Sequence, residues 1–388
     1  MIYRTNPKNG DKLSQLGYGG MRFPKDDKDL EKQVVYAIEN GVNYFDTAYI
    51  YPSSEERLGR VLAKGYREKV KIATKIPPYL VKKYEDLDKI FNTQLRRLQT
   101  EYIDYYFIHM ITDIQVWNRL VDLGILKWIE EKKKAGQIKN IGFSYHGGQS
   151  EFIKVIDSYD WEFCMIYYNF LDENNQAGKN GLEYASKKGL PVMVMGPLKG
   201  GKIVTKIQKD VDAILRKSNT KRTLADWSFR WVWNHKEVTV ALSGMSTEEM
   251  VEENIKVAKT AEADSFTEAD FKMFEEMKTL IHKKLKIPCT GCNYCVPYCP
   301  KKVDIPTCLT SYNNIEVEGK MKAKVKYIMN TSIRSESYSA SQCIKCKKCE
   351  AYCPQGIQIG EELTRVKKAL EGFGHKPLMF VMKKFMKL

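Results

Sequence analysis

The chain has 388 residues, 43% of them hydrophobic, enough for one large packed domain and a smaller second one, which excludes a disordered chain. Its first residues, Met1-Ile2-Tyr3-Arg4-Thr5, lack the apolar run of a signal peptide, and no apolar stretch reaches membrane-spanning length, so a cytoplasmic location is expected. The formal net charge is +15, and residues 287–388 hold 17 Lys and Arg against 8 Asp and Glu; with no nucleic-acid motif beside it, that excess points to compensation of buried anions or to an acidic partner.

Ile2–Thr5 and Lys12–Gln15 flank Asn9-Gly10 and read as a hairpin closed by a tight turn. Short apolar runs then alternate with longer amphipathic stretches. Strands are expected at Leu16–Gly19, Tyr44–Asp46, Lys71–Lys75, Asp104–His109, Asn140–Ser144, Cys164–Asn169, Pro191–Gly196 and Val238–Ser243. Helical spacing covers Asp29–Asn40, Glu85–Gln99, Val116–Lys134 and Thr247–Thr260. Eight strand-then-helix units predict an α/β fold, a closed (β/α)8 TIM barrel, over an open doubly wound sheet. No G-x-G-x-x-G follows an early strand. A charged helix over Thr267–Lys286 leads out of this region, which is assigned residues 1–284.

Residues 285–372 contain a duplicated ligand pattern. Cys289, Cys292, Cys295 and Cys299 precede Pro300, and Cys343, Cys346, Cys349 and Cys353 precede Pro354, each copy reading C-x2-C-x2-C-x3-C-P. Three thiolates two residues apart wrap three corners of a [4Fe-4S] cubane, and the fourth leaves toward the other cluster, as in bacterial two-cluster ferredoxins. The expected sets are crossed: Cys289, Cys292, Cys295 with Cys353, and Cys343, Cys346, Cys349 with Cys299. Zinc favours separated CxxC pairs, and disulfides need an oxidising compartment. The 43 residues between the runs, with helical patterns at Ile305–Asn314 and Met321–Asn330, resemble the helical type of two-cluster ferredoxin. Cys164 reads as core and Cys308 as surplus to two four-thiolate sites. In the basic amphipathic tail, residues 373–388, Leu378, Val381, Met382, Phe385 and Leu388 share a helical face suited to the chain's own barrel, a second subunit or a membrane surface.

Asp46, Tyr51, Lys75 and His109 fall at or just after barrel strand ends, where such folds hold their active sites. Around them stand Gly41-Val42-Asn43-Tyr44-Phe45-Asp46-Thr47-Ala48, Ser54-Glu55, Leu58-Gly59, Ala73-Thr74-Lys75, Tyr105-Tyr106-Phe107-Ile108-His109 and Ile141-Gly142-Phe143-Ser144. These motifs, in this order, resemble the aldo/keto reductase family, and the whole chain resembles its iron–sulfur subgroup. The resemblance implies an oxidoreductase that reduces a carbonyl. Tyr51 would donate the proton, with its pKa lowered by Lys75; Asp46 would orient Lys75; His109 would hydrogen-bond the carbonyl oxygen.

The resemblance also implies a cofactor site near Gly19, Gly20, Met21, Ser144, Tyr145, Met165, Met195, Pro197, Leu198, Gly200, Ser243, Gly244, Met245, Glu253 and Asn254. Several positions depart from the NADPH-dependent pattern. Tyr145 stands for an Asn, Met165 for a Gln and Met195 for a stacking aromatic residue, while Gly244 and Met250 replace the two cations for a 2′-phosphate. Glu253 and Asn254, the adenine contacts, remain, and His146 lies near the cofactor end of its strand. Cubanes pass single electrons whereas nicotinamide passes a hydride, so a flavin such as FMN is weighed beside NAD(P)H. Gly196-Pro197-Leu198-Lys199-Gly200-Gly201 suits the phosphate of either. Three functions follow: a reductase fed through its clusters by an acidic ferredoxin or flavodoxin, an NAD(P)H-dependent reductase with structural or regulatory clusters, and an electron-transfer protein with a vestigial barrel. A homo-oligomer is compatible with each.

Overall fold

β1 (Tyr3–Thr5) and β2 (Lys12–Ser14) form the amino-terminal hairpin, with Thr5 opposite Lys12. The turn is longer than the Asn9-Gly10 pair implies. Asn6 and Asn9 side chains accept from the Lys8 and Asp11 amides, so two successive Asx turns span residues 6–11. The computed structural model describes residues 1–386 except 219, 284, 334, 335, 354 and 373. Pro354 and Leu388, both used above, lie outside the described residues, as does the side chain of Phe385.

Eight parallel strands close a barrel: β3 (Leu16–Gly19), β4 (Tyr44–Asp46), β5 (Lys71–Ile76), β6 (Ile103–Ile111), β7 (Ile138–Tyr145), β8 (Phe163–Tyr167), β9 (Val192–Met195) and β10 (Val238–Ser243), with β10 paired to β3. Alternation along each strand divides two cores. Tyr44, Tyr105, Phe107, Phe163 and Met165 fill the interior, while Phe45, Tyr106, Ile108, Phe143 and Tyr145 face the helical layer. The hairpin plugs the amino end of the barrel: Leu13 joins the interior cluster, and Tyr105 Oη meets Asn6 and Asp11.

The expected helix over Val116–Lys134 is two helices, Ile114–Asp122 and Ile125–Lys134, because Gly124 adopts φ +88° between them. Helix Glu268–Lys283 returns along the barrel, its Phe274 packing on Phe170 and Trp231.

The remaining chain builds a separate core from Ile305, Leu309, Tyr327, Leu363 and Val366, among others. Its two halves repeat one backbone course. Each cysteine loop is followed by a tight helical turn, Val296–Tyr298 and Glu350–Tyr352, and then by a helix, Ile305–Glu318 and Ile359–Leu370. Tyr298 and Tyr352, at matching positions, stack with centroids 3.4 Å apart and planes 2° from parallel, marking an approximate twofold axis. The tail helix, His375–Met386, lays Leu378, Met379 and Met382 on this second core rather than on the barrel. Val381, expected on the buried face, is 58% exposed, because the packed stripe is turned to include Met379.

Candidate functional site

Strand parity delivers three groups to the carboxyl end of the barrel. Asp46 follows Tyr44 by two residues, Lys75 follows Ala73, and His109 follows Phe107, so each continues an interior-facing phase. All three are at most 4% exposed. Lys75 Nζ donates to Asp46 Oδ1 at 2.5 Å and to the Thr47 carbonyl at 2.7 Å. Tyr51 comes from the loop after β4, its ring edge-on to His109 with centroids 6.1 Å apart. A bulge in β6 follows His109: Met110 takes φ +55° and the pairing with β7 shifts between Ile108 and Ile111. Such bulges re-aim a side chain at a strand end.

Supporting contacts fix this group. Glu55 is fully buried and accepts from Thr74 at 2.6 Å, Gln94 at 2.8 Å and Arg97 at 3.1 Å, which locks the residue before Lys75. Ser54 accepts from Thr47 and donates to the Gly20 carbonyl, tying the Tyr51 loop to the end of β3. Asp46 Oδ2 and His109 Nδ1 are buried without a protein partner among the described residues, so both are available to a bound molecule.

Burial dominates the electrostatics. It raises the Asp46 carboxyl and lowers the Lys75 ammonium, while their mutual attraction opposes both shifts. His109 is held well below its ordinary value by burial, then by Lys75 and His146, and is therefore neutral near pH 7. Tyr51 runs against expectation. Burial and then Asp46 push its phenol up, and Arg22 opposes them only in part. The Lys75 ammonium stands 5.4 Å from the ring centroid and is directed to Asp46.

The expected cofactor residues divide. Gly19 and Gly244 lie together, a Cβ on Gly19 meeting the Ser243 carbonyl at 3.2 Å, and a Cβ on Gly20 would press on Ser54. Met21 is exposed. Met165 and Met195 belong to the barrel interior. Pro197 is buried and Leu198 half-buried beside Gly200, which is exposed at φ +66°. Asn254 donates to Ser243 at 2.9 Å, while Glu253 is engaged by Thr223 at 2.7 Å. Ser144 accepts from the Met110 amide at 2.8 Å and so braces the bulge beside His109. Tyr145 does not face the cofactor side. One residue out of phase with Ser144, it packs on Phe143 and Phe152 and donates to the Gly148 carbonyl. The Met245 side chain is likewise in the outer core, where only its carbonyl is engaged, by Tyr18.

Sequence reasoning passed over Arg22. Its guanidinium lies 2.9 Å from where a Cβ on Gly200 would stand, and its stem lies 3.6 Å from where one on Gly244 would stand. A cation therefore reaches the loops after β9 and β10, although Gly244 and Met250 carry none. The signal was Gly19-Gly20-Met21-Arg22, an arginine directly after a glycine pair at a strand end.

The cysteines form two groups. Cys289, Cys292, Cys295 and Cys353 line one cavity; Cys299, Cys343, Cys346 and Cys349 line a second. Burial, with repulsion among neighbouring sulfurs, pushes Cys289 and Cys349 to about 11 and Cys295 to about 12. The Val303 and Lys345 amides donate to Cys299 Sγ at 3.3 Å and Cys343 Sγ at 3.4 Å. Cys164 and Cys308 are fully buried in the two cores, and no disulfide forms among the described residues.

The loop after β8 joins the two domains, which the sequence did not signal. Asn174 donates to the Thr290 carbonyl at 3.3 Å, Asn293 donates to the Asn174 carbonyl at 3.1 Å, and Thr310 reaches Asn175 at 3.5 Å. Asp172 anchors that loop, accepting from buried Lys199 at 2.7 Å, and the Tyr167 hydroxyl also reaches it. A cavity of about 310 Å³ lies between Asp172, Lys199, Lys278, Cys289 and Thr290.

An eight-stranded parallel barrel with this inward-facing Asp, Lys, His and adjacent Tyr, joined to a duplicated cysteine domain, defines a two-domain redox protein. Residues 15–278 match the aldo/keto reductase family, and the chain belongs to it; residues 288–357 match the 4Fe-4S dicluster domain. The protein is accordingly an oxidoreductase. Protein tas of Escherichia coli is 26% identical over 246 residues, covering 53% of this chain and 70% of that protein. The 6-dehydroglucose reductase of Novosphingobium aromaticivorans is 24% identical, covering 66% of this chain and 90% of its own length. Among solved structures, an aldo-keto reductase from Bacillus halodurans aligns with TM-score 0.61 at 22% identity, over 71% of this chain and 96% of that one. An aldo/keto reductase from Klebsiella pneumoniae in complex with NADP and acetate aligns with TM-score 0.60 at 19% identity, over 71% and 94%. Likeness at these identities concerns the fold. No helix among the described residues is long and apolar enough to cross a membrane.

Proposed function

We propose that the barrel, residues 1–284, reduces a carbonyl compound at Asp46, Tyr51, Lys75 and His109, and that residues 285–372 supply electrons through two [4Fe-4S] clusters held by the crossed cysteine quartets. The observation that carries this reading is the union, through Asn174 and Asn293, of buried Asp46, Lys75 and His109 beside half-buried Tyr51 with a cysteine-lined cavity in one chain. The quartets suit a polynuclear group. Four sulfurs surround each cavity, one for each iron of a cubane. With pKa values of about 11 to 12, Cys289, Cys295 and Cys349 remain thiols without a cation, so cluster assembly would release protons.

In the barrel, neutral His109 donates a hydrogen bond to the carbonyl oxygen and holds it against Tyr51, whose hydroxyl gives the proton. Lys75, fixed by Asp46, offers positive charge beside that phenol as it deprotonates. A flavin or nicotinamide held at the mouth would supply the hydride of the two-electron reduction. Gly200, Gly201 and Gly244 leave room for its phosphate, and Arg22 provides the charge. The carboxamide end is less well provided, with Ser144 bracing a bulge and Tyr145 turned outward, which favours FMN. NAD(P)H is the second reading, supported by the NADP complex of the Klebsiella fold relative.

Anaerobically purified protein is expected to hold about eight iron atoms per chain and to release a flavin on denaturation. Turnover of a carbonyl panel should fall about 100-fold or more in Tyr51→Phe, with cluster absorption unchanged. Unchanged turnover in that variant would remove Tyr51 as the proton donor, and clusters that take up electrons in a parent chain that reduces no carbonyl would support an electron carrier with a vestigial barrel. NADH-driven activity that survives Cys343→Ser and Cys346→Ser in a chain that still folds would show the clusters to be structural or regulatory.

A further inference from the structure

The two cysteine loops share a backbone but not a surface. In the first, the left-handed positions two and four residues after Cys289 are Gly291, φ +71°, and Asn293, φ +65°. In the second, the same positions after Cys343 are Lys345, φ +56°, and Lys347, φ +60°. Glycine and asparagine tolerate this conformation, whereas lysine is strained in it. The glycine has a local cause: a Cβ on Gly291 would stand 2.9 Å from Asn175 Oδ1, because the first loop is pressed against the barrel. Residues 344–348 are all exposed, and Lys345, Lys347 and Lys348 make no ion pair with any described residue. Beside them Ile344 is 57% exposed, and the stacked Tyr298 and Tyr352 are 43% and 45% exposed.

Two lysines standing where a glycine and an asparagine would be less strained point to a use for their charge. We propose that the loop Cys343–Cys349 is the docking face for an acidic one-electron carrier protein, Ile344 and the tyrosine pair giving apolar contact inside a lysine rim. The two sites then act in a fixed order. Electrons enter at the Cys299/Cys343/Cys346/Cys349 cavity and pass to the Cys289/Cys292/Cys295/Cys353 cavity, whose Cys289 and Thr290 also wall the cavity shared with the barrel. Two docking events, each oxidising one carrier by one electron, would supply the electron pair for one carbonyl reduction to the alcohol, with one proton given by Tyr51 and the second taken up from solvent. This inference rests on the proposed clusters, and its order depends on the internal asymmetry of the repeat.

The test uses the full chain with assembled clusters and an acidic [2Fe-2S] ferredoxin as probe. Lys345→Gly with Lys347→Asn copies the first loop into the second, and Lys348→Glu reverses a neighbouring charge without touching a left-handed residue. Both variants should retain iron and sulfide, bind the probe about tenfold more weakly at low salt, and show a smaller salt dependence. Cluster bleaching by the reduced probe should slow in parallel, while bleaching by methyl viologen radical, a small cation, should not slow in Lys348→Glu. Variants that bind the probe and accept its electrons as the parent chain does would overturn the docking face. So would a parent chain that binds duplex DNA and ignores the probe. A parent chain without iron would sink the functional reading itself, and the docking face with it.

Discussion

His146 lies at the end of β7 and titrates in a setting made by both domains. Burial first, then Lys326 of the cysteine domain and Lys75 of the barrel, lower it to about 4 from an ordinary 6.5. Above about pH 6.5 the group is neutral in folded and unfolded chains alike. As the pH falls from 6.5 toward 4, the unfolded chain gains a proton that the folded chain refuses, so stability declines across that window. His146→Gln should therefore keep more of its stability at the acid end, read as a flatter plot of Tm against pH; an unchanged slope would remove His146 from the account. At this scale the sequence was informative about identity and less so about direction. Asp46, Lys75 and His109 could be placed at strand ends from pattern and resemblance. The outward turn of Tyr145 follows from strand parity, which Ser144 and Tyr145 reveal only once the inward phase of β7 is fixed. The upward shift of Tyr51 depends on burial, which no motif reports.

Among the elements, glycines record where backbones approach. Helix Ser54–Leu62 crosses helix Tyr84–Leu98 so closely that a Cβ on Gly59 would lie 2.3 Å from the Arg97 carbonyl oxygen. The Leu58-Gly59 pair thus has a packing cause in addition to its value as a family mark. Gly59→Ala is expected to destabilise the chain by roughly 2 kcal/mol or more, since overpacking of fitted elements costs about 1–3 kcal/mol. Denaturant unfolding would measure it, and a loss below about 0.5 kcal/mol would mean that the helices separate easily. The strands could be assigned to within two residues because their short β-rich runs are bounded by turn residues, as at Tyr44–Asp46 and Val238–Ser243. The break at Gly124 was missed because Leu123 and Ile125 continue an apolar spacing across it.

For the whole molecule, the link between domains is polar and local. Asn174 holds the first cysteine loop through Thr290 and Asn293, and Asn175 accepts from Thr310 of the helix Ile305–Glu318. Replacing both asparagines with alanine should leave iron content and barrel unfolding near those of the parent chain, while carrier-driven turnover falls about tenfold, the size of effect when one or two hydrogen bonds near 1 kcal/mol are lost from a positioned contact. Equal turnover would show that electrons reach the barrel by another route. This joint was hidden in the sequence because Asp172-Glu173-Asn174-Asn175 has the composition of any surface loop; its partners lie more than a hundred residues away.

The cysteine cavities also dictate an order of manufacture. One draws on Cys289 and on Cys353, the other on Cys299 and on Cys349, so neither wall is complete until the later run has left the ribosome. The barrel strands, all in place by Ser243, have every partner they need well before that moment. On the ligand sets proposed above, metal loading waits until Cys353 has emerged, and a ribosome that stalls between the two runs leaves a folded barrel trailing four unprotected thiols.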